Sequence, residues 1–422
     1  MSRKSVLLLF LPLIALLCLP GCPKKQSASP DEVVLFVRAS ATEVETWQKA
    51  VDAYTEATKV SVSLQTEPPA TYHARLQSLI ARGAAPDVAV VDSTSLPQLV
   101  STGQLQSLNT LIQSQTDVSL SGYYPSAMHA FQYQGGTYGL PYDVSVLAVA
   151  YNVDLFELAY LQMPAPDWNW QDYLKYARAL TRDTDDNGTV DAWGTAIPQW
   201  WQVNVWGNGG DVVDDASNPQ RSTLSSPATQ QALQYLADLT LKEKVAPPVN
   251  KPAGAQPLNA FCAGHIGMIL ATHADIPQMQ KARDLRFGVL PLPRGKNAAN
   301  LGLTSAFCLP KGSKHEQEAW KLMAYLAGQD GQALLLEGGF TTPALEAMAN
   351  SEYFTAVGST AKNPYLGAPK MARPLPFTPH YAQIAAIWDE ELKALWTGQA
   401  TVQQVTQRID ERVNQVLQQP QR

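Results

Sequence analysis

Oxygen-bearing side chains recur at alternate positions in one short turn of the chain. They are Asp183, Asp185, Asn187 and Asp191. This spacing, with Gly188 at the sixth position, matches the first half of an EF-hand calcium loop. The twelfth position is Gly194, where such a loop needs a bidentate glutamate. We therefore expect no cofactor, and a calcium site at this turn is the alternative to a plain solvated acidic turn.

Known catalytic signatures are missing from the sequence. It contains no G-x-S-x-G motif and no His–Glu metal motif, and its six histidines lack metal-ligand spacing. We therefore predict that the protein is not an enzyme. A carbohydrate hydrolase with paired carboxylates stays open as an alternative, because residues far apart in sequence can meet in the fold.

Polar side chains end two of the predicted strands. Val33–Val37 is followed by Arg38 and Ser40, and the strand that starts at Asp87 ends on Asp92. Strands alternate with helices here, a pattern that predicts a parallel, doubly wound α/β sheet. Because ligands bind at the carboxyl ends of such strands, we expect these polar residues to contact a ligand. A carboxylate at Asp92 would accept hydrogen bonds from the hydroxyl groups of a neutral polyol.

Tryptophans cluster further along the chain, in a segment rich in glutamine, glycine and asparagine. They include Trp200, Trp201 and Trp206. The composition predicts irregular, accessible backbone, and flat aromatic faces stack well on the C–H faces of sugars. We expect at least one of the three to stack on a ligand.

Size and charge limit the possible architectures and partners. A chain of 422 residues is too long for one ordinary core, so we expect two domains. The net charge of −6 argues against a nucleic-acid partner, which would need a basic surface.

The N-terminus carries an export signal. Arg3 and Lys4 precede the apolar run Val6–Leu17, which is too short to span a bilayer. Gly21-Cys22 follows and resembles the bacterial lipobox, in which the cysteine is acylated. We predict a signal peptide at 1–21, a lipid on Cys22 and a tether over 22–31, which would anchor the protein on the outer side of the cytoplasmic membrane. An ordinary secretory signal is the alternative. Removal of residues 1–21 leaves a net charge of −8.

Two cysteines lie in the body of the chain. Cys262 and Cys308 both stand in apolar stretches, without the C-x-x-C spacing of a metal or redox site. A disulfide could persist in an oxidising compartment, but we favour two separate buried thiols.

One glycine- and proline-containing stretch, Gly135–Pro141, leads through Asp143 into the apolar run Val144–Ala150. A turn followed by a strand buried on both faces is typical of a crossover between two lobes. Leu301–Leu309 is a second crossover candidate and Leu336–Thr342 a third.

A series of motifs follows in order. They are Ala84-Ala85-Pro86-Asp87-Val88 with Asp92, Gly136-Thr137-Tyr138-Gly139-Leu140-Pro141, Tyr151-Asn152-Val153-Asp154-Leu155-Phe156, Trp170-Gln171-Asp172-Tyr173-Leu174, Asp183–Gly194 and Phe261–Met268. The series resembles the maltose-binding-like family, the extracellular solute-binding proteins of ABC importers for sugars and related solutes. The resemblance covers about residues 32–418.

The resemblance implies a two-lobed, type II periplasmic-binding-protein-like α/β fold with three crossing segments. We expect an N-terminal lobe at 32–142 plus 303–340 and a C-terminal lobe at 143–302 plus 341–422. Hinge closure would enclose a sugar or oligosaccharide and present the monomeric protein to the permease subunits. A receptor subunit that signals the closed form is an alternative. By position in the family, Gly302, Thr304 and Arg373 are further ligand candidates, and a surface ion pair is the alternative for Arg373. Asp143 would either bind the ligand or lock the hinge.

Overall fold

The computed structural model describes residues 32–115, 120–165, 167–184, 186–339, 341–350 and 364–420. The predicted signal peptide, Cys22 and the tether lie outside these ranges, as does Asp185. Within them, no helix has both the length and the apolar character required to cross a membrane.

Short strands and helices alternate along the chain. The strands are β1 (Val33–Arg38), β2 (Val62–Glu67), β3 (Val88–Asp92), β4 (Gln132–Tyr133), β5 (Gly136–Thr137), β6 (Gly139–Ser145), β7 (Leu147–Asn152), β8 (Met268–Thr272), β9 (Phe287–Leu290), β10 (Asn300–Leu301), β11 (Leu303–Cys308) and β12 (Ala372–Arg373). The helices are α1 (Val44–Thr58), α2 (Tyr72–Ala81), α3 (Leu96–Ser101), α4 (Asn109–Ser114), α5 (Pro125–His129), α6 (Val153–Leu158), α7 (Trp170–Leu180), α8 (Gln202–Gly207), α9 (Pro227–Leu241), α10 (Pro252–Ala255), α11 (Pro257–Cys262), α12 (Ile276–Lys281), α13 (Glu316–Ala327), α14 (Gln329–Glu337), α15 (Pro364–Gly367), α16 (Tyr381–Trp396) and α17 (Val402–Leu417).

The first sheet has the strand order β2-β1-β3-β11-β6. β1 pairs in parallel with β2 and β3, as the alternation of strands and helices predicts, whereas β11 is antiparallel to both of its neighbours. Apolar strand residues and the buried Trp47 of α1 form a single core around this sheet. The carboxyl ends of β1 and β3 therefore lie side by side, and Ser305 of β11 lies opposite Asp92.

The second sheet has the order β8-β7-β9, with β7 antiparallel to both neighbours. Its core is separate from the first and includes Trp201, Trp388 and the apolar faces of α9, α16 and α17. The two larger sheets, each with a core of its own, agree with the predicted two-lobed α/β fold, and a further apolar cluster contains Val144 of β6 and Ala148 of β7. The predicted lobe boundaries at 142/143, 302/303 and 340/341 stay predictions.

Three chain segments meet where the sheets approach one another. β6 continues through Val146 into β7, and β11 returns to the first sheet. The third segment begins later than predicted, because Leu336 and Glu337 still belong to α14. Residues 341–343 then run beside β6, where the Val144 N–H donates to the Thr342 carbonyl at 2.9 Å.

Both thiols in the described part of the chain are free. Cys308 is buried in β11, and Cys262 is half-buried at the end of α11. The prediction of two separate thiols is confirmed, although Cys262 is less buried than expected.

Candidate ligand-binding site

A network of polar side chains surrounds Asp92 at the carboxyl end of β3. Arg38 Nη1 donates to Asp92 Oδ2 at 2.5 Å, and His73 Nε2 lies 3.0 Å from the same oxygen. The Ser305 hydroxyl donates to Asp92 Oδ1 at 3.1 Å. Burial alone would raise the pKa of Asp92, but the Arg38 charge and the hydrogen bonds from His73 and Ser305 outweigh it and lower the pKa to about 2. Asp92 is therefore ionised and holds three donors in place.

Ser40 does not join this network. Its N–H donates to Glu43 Oε2 at 2.6 Å, and its hydroxyl lies 3.0 Å from Thr42 Oγ1. The side chain is half-buried just before α1. The structure thus places Ser40 in the turn that starts this helix, whereas Arg38 and Asp92 are brought together as the strand-end rule predicts.

Asp143 lies on β6, close enough to Arg38 and Asp92 for their charges to act on it. Its carboxylate accepts the Thr342 N–H at 2.6 Å and the Ser145 hydroxyl at 2.9 Å. Only 7% of the residue is exposed. Asp143 thus links two crossing segments directly.

A cleft of about 820 Å³ lies between segments of the two halves of the chain. One wall includes Ser93, Thr94, His129, Gln132, Tyr133 and Thr304, and the opposite wall includes Ser217, Asn218, Leu375, Pro376 and Phe377. The predicted Gly302 also lines it. Among the described residues, no lysine, arginine, aspartate or glutamate is part of this lining. Hydroxyl, amide and apolar groups therefore dominate the surface that a ligand would meet.

One aromatic contact joins the two walls of the cleft. The Tyr133 and Phe377 rings meet edge to face, with centroids 5.5 Å apart. Tyr133 ends β4, and the left-handed residues Gln134 and Gly135, with φ of 48° and 81°, make the tight turn into β5. This turn presents Tyr133 to Phe377.

Arg373 is held by two partners on the opposite wall. Its Nη2 donates to Asp211 Oδ2 at 2.5 Å, and its guanidinium lies 5.1 Å from the centre of the Trp206 ring. Trp206 Nε1 also donates to Asp211, at 3.1 Å. The arginine is 40% exposed and its charge is already balanced by Asp211.

The tryptophans differ from the sequence-based expectation. Trp206 lies on helix α8, and with 1% exposure its ring is covered on all sides. Trp201 packs edge to face on Trp388, with centroids 5.4 Å apart, inside the second core. Neither offers a face to a ligand in this structure. Trp200 is half-buried and packs beside Trp206 and Leu301. Residues 202–207, expected to be irregular, form a helix that contains Trp206, whereas Trp200 and Trp201 lie in the turn before it. Stacking of Trp200 on a ligand stays a prediction.

The acidic turn uses its carboxylates within the turn itself. Asp183 accepts the N–H groups of Asn187 and Gly188, at 3.2 and 2.6 Å. Asp191 accepts both the N–H and the hydroxyl of Thr184, at 3.0 and 2.6 Å. No group of three metal-ligating acidic, histidine or cysteine side chains occurs within the ranges that the structure describes. Calcium binding here stays a prediction, because Asp185 lies outside those ranges.

Replacing Gly194 by alanine is expected to lower the free energy of unfolding by about 3 kcal/mol, because overpacked sites cost 1–3 kcal/mol or more. An added Cβ would lie 1.8 Å from the Ala177 carbonyl oxygen of α7. The same contact explains why no glutamate completes the turn at this position. Urea unfolding would measure the loss. Gly188→Ala is the comparison, because nothing lies within 4 Å of its Cβ and only its φ of 85° is unfavourable. A Gly194→Ala variant as stable as the parent would contradict the packing argument.

Some site residues had no signal in the sequence. His73 is one polar residue among several in α2, and Asp211 follows a glycine pair in a segment without periodicity. Phe377 lies in a proline-rich stretch that predicts irregular backbone only. Their partners are far away in the chain, so spacing alone could not identify them.

Comparisons with known sequences place the chain in a family. The sequence profile of the bacterial extracellular solute-binding proteins matches residues 49–361. A relative from Brucella abortus (strain 2308), named for binding without a stated ligand, is 23% identical over 329 residues, 77% of this chain and 78% of its own. The sn-glycerol-3-phosphate-binding periplasmic protein of Escherichia coli (strain K12) is 25% identical over 331 residues, 72% of each chain.

Solved structures share the fold. An ABC substrate-binding protein of Listeria monocytogenes, in complex with cycloalternan, has a TM-score of 0.83 at 21% identity and covers 92% of this chain and 98% of its own. A Thermotoga lettingae solute-binding protein bound to α-D-tagatose has a TM-score of 0.78 at 20% identity and covers 92% and 100%. The predicted two-lobed, type II fold is confirmed by this likeness. Together with the profile match, it shows that the chain belongs to the bacterial extracellular solute-binding proteins.

Proposed function

We propose that this protein captures an uncharged sugar or oligosaccharide between its two lobes and delivers it, unchanged, to the permease of an ABC importer. The observation that carries the proposal is the charge state of the site. The cleft lining has hydroxyl, amide and aromatic groups without a lysine or arginine among the described residues. Sugars need such groups, with polar partners for hydroxyls and flat apolar surfaces for C–H faces.

The same observation argues against an anionic solute such as the sn-glycerol 3-phosphate named for the Escherichia coli relative. A phosphate is normally bound by cationic side chains or clustered backbone N–H groups. The two arginines at the predicted site, Arg38 and Arg373, already donate to Asp92 and Asp211 at 2.5 Å. A bound phosphate would have to compete with a carboxylate for either cation.

Cell-envelope anchoring is part of the proposal. Family membership supports a site of action outside the cytoplasm, and the Gly21-Cys22 pair supports a lipid on the cysteine. Delivery of the solute by a tethered monomer is consistent with both.

A thermal-shift screen is expected to show stabilisation by neutral oligosaccharides and none by sn-glycerol 3-phosphate or inorganic phosphate. A ligand at a hundred times its Kd adds about 2.7 kcal/mol to the free energy of unfolding, which raises Tm by several degrees. The ligand recovered from the complex should be chemically unchanged. Stabilisation by phosphates alone would contradict the assignment of a neutral ligand, and release of a smaller sugar would contradict a purely binding role.

A further inference from the structure

Three segments of the hinge meet around Asp143. Its own strand β6 pairs with β11, where Asp143 lies opposite Ser305. The third segment is fixed to the carboxylate by the Thr342 N–H at 2.6 Å, and Pro343 forms a bridge with Asp143. A change at this one carboxyl group therefore acts directly on the contact between β6 and the third segment, two of the three segments about which the lobes would rotate.

A neutral side chain fixes the same third segment a few residues later. Gln332 of α14 is 1% exposed, and its Oε1 accepts the N–H groups of Ala344 and Leu345 at 2.9 and 3.2 Å. Its Nε2 donates to the Ala327 carbonyl at 2.6 Å. Residues 342–345 are thus held by one ionisable and one neutral side chain. Of these two side chains, only Asp143 can gain or lose a proton as the pH changes.

The charges that face Asp143 are unequal. Arg38 on β1 is the cation near it, and that arginine donates to Asp92 on β3, so one cation faces two carboxylates. His73 of α2 contacts Asp92 and not Asp143 itself. Tyr142 precedes Asp143 on β6. The third segment contributes only Thr341, Thr342 and Pro343, with the buried His273 against Thr341. Burial lowers the pKa of His273 to about 4, so it stays neutral near pH 7.

We propose that Asp143 is a positioning residue that couples ligand binding to the uptake of a proton at the hinge. The inference rests on the proposed capture of a solute by lobe closure. Closure would rotate β6 against the third segment, and a longer contact between the Thr342 N–H and the Asp143 carboxylate would favour the protonated, neutral form of Asp143. By reciprocal linkage, ligand binds more tightly when Asp143 is protonated.

The expected pH range follows from the environment of the carboxyl group. Burial raises the pKa of Asp143 to about 7, although the hydrogen bonds from Thr342 and Ser145 oppose the shift. The folded protein thus keeps this proton at a pH where the unfolded chain has lost it. The contribution of Asp143 to the free energy of unfolding therefore decreases as pH rises from the unfolded pKa, roughly 4, to about 7, and is constant above that.

Calorimetric titration at pH 6 and pH 8, with the strongest neutral sugar from the thermal-shift screen, tests the coupling. We expect Kd to rise roughly tenfold between these values, within the usual range of coupling between sites. Asp143→Asn, which mimics the neutral carboxyl, should bind with the same Kd at both values. Ser145→Ala removes a hydrogen bond to the ionised form and should shift the transition to higher pH.

Urea unfolding without ligand is the second measurement. Between pH 5 and pH 8, the free energy of unfolding of the parent protein should fall relative to that of Asp143→Asn. If Asp143→Asn does not fold, Ser145→Ala is measured instead, and its free energy of unfolding should fall with pH as that of the parent does. A parent Kd that is independent of pH, or a pH dependence that persists in Asp143→Asn, would overturn the inference. Absence of binding by any sugar at any pH would instead refute the proposed function.

Discussion

Replacing Asp92 by alanine is expected to weaken ligand binding about a hundredfold, a loss of roughly 2.7 kcal/mol, because Asp92 and its partner Ser305 adjoin Ser93 and Thr304 of the cleft lining. The substitution releases Arg38, His73 and Ser305 together, because all three contact the Asp92 carboxylate. The unpaired Arg38 would then also attract anions. Isothermal titration with the sugar that gives the largest thermal shift would measure the loss.

An exposed carboxylate on the outer surface provides the matched control. Asp154 pairs with Arg286 on the second lobe, and both side chains are largely exposed, at 43% and 59%. Asp154→Asn should leave Kd unchanged and alter stability by less than about 1 kcal/mol. If Asp92→Ala binds as tightly as this control, then the network around Asp92 does not contribute to the ligand site.

Replacing Asp87 by alanine is expected to cost about 3–5 kcal/mol of unfolding free energy, the range seen when a buried, multiply bonded charge is removed. This side chain is only 5% exposed. Its oxygens accept the Val34 N–H at 2.9 Å, the Ser313 hydroxyl at 2.7 Å and the Lys314 N–H at 3.0 Å. His315 contributes its N–H and Nδ1 at 3.3 and 3.1 Å. Without the carboxylate, these donors would lose the acceptor that they share. Urea unfolding would measure the loss.

The pH dependence of this contribution has the opposite sign to that of Asp143. Burial raises the pKa of Asp87, but the hydrogen bonds from Val34, Ser313, His315 and Lys314 outweigh it and lower the pKa below its ordinary value. The stabilisation is therefore complete above the unfolded pKa and is lost as pH falls through the folded pKa. Asp87→Asn keeps the shape and should lose less than the alanine variant. A loss below about 1 kcal/mol in Asp87→Ala would contradict this assignment, because it would match a surface carboxylate.

Local patterns were sufficient to predict the first sheet and part of the site. Apolar runs that end on Arg38 and Asp92 predict parallel strands whose polar ends meet, and the structure brings these two side chains within 2.5 Å. The apolar run after Asp143 likewise predicts a strand between two lobes, which β6 and β7 form. In both cases the signal and the contact depend on residues close in sequence or on a general rule for sheets.

The opposite wall could not be predicted in the same way. Arg373 and Asp211 are 162 positions apart, and no spacing rule connects them. Around Trp206, the glutamine, glycine and asparagine residues predicted a loop, but the segment forms the helix α8. Tertiary packing of α8 buries Trp206, and the weak local preference for a loop does not override that packing.

The position of β11 in the first sheet has a consequence for the order of folding. This strand fills the gap between β3 and β6, yet it follows β6 in the chain by about 160 residues, the whole of β7 to β10. During synthesis from the N-terminus, the first sheet therefore stays incomplete, with open edges on β3 and β6, until residues 303–308 have emerged. Such late, long-range pairing slows folding and leaves unpaired strand edges exposed in the meantime.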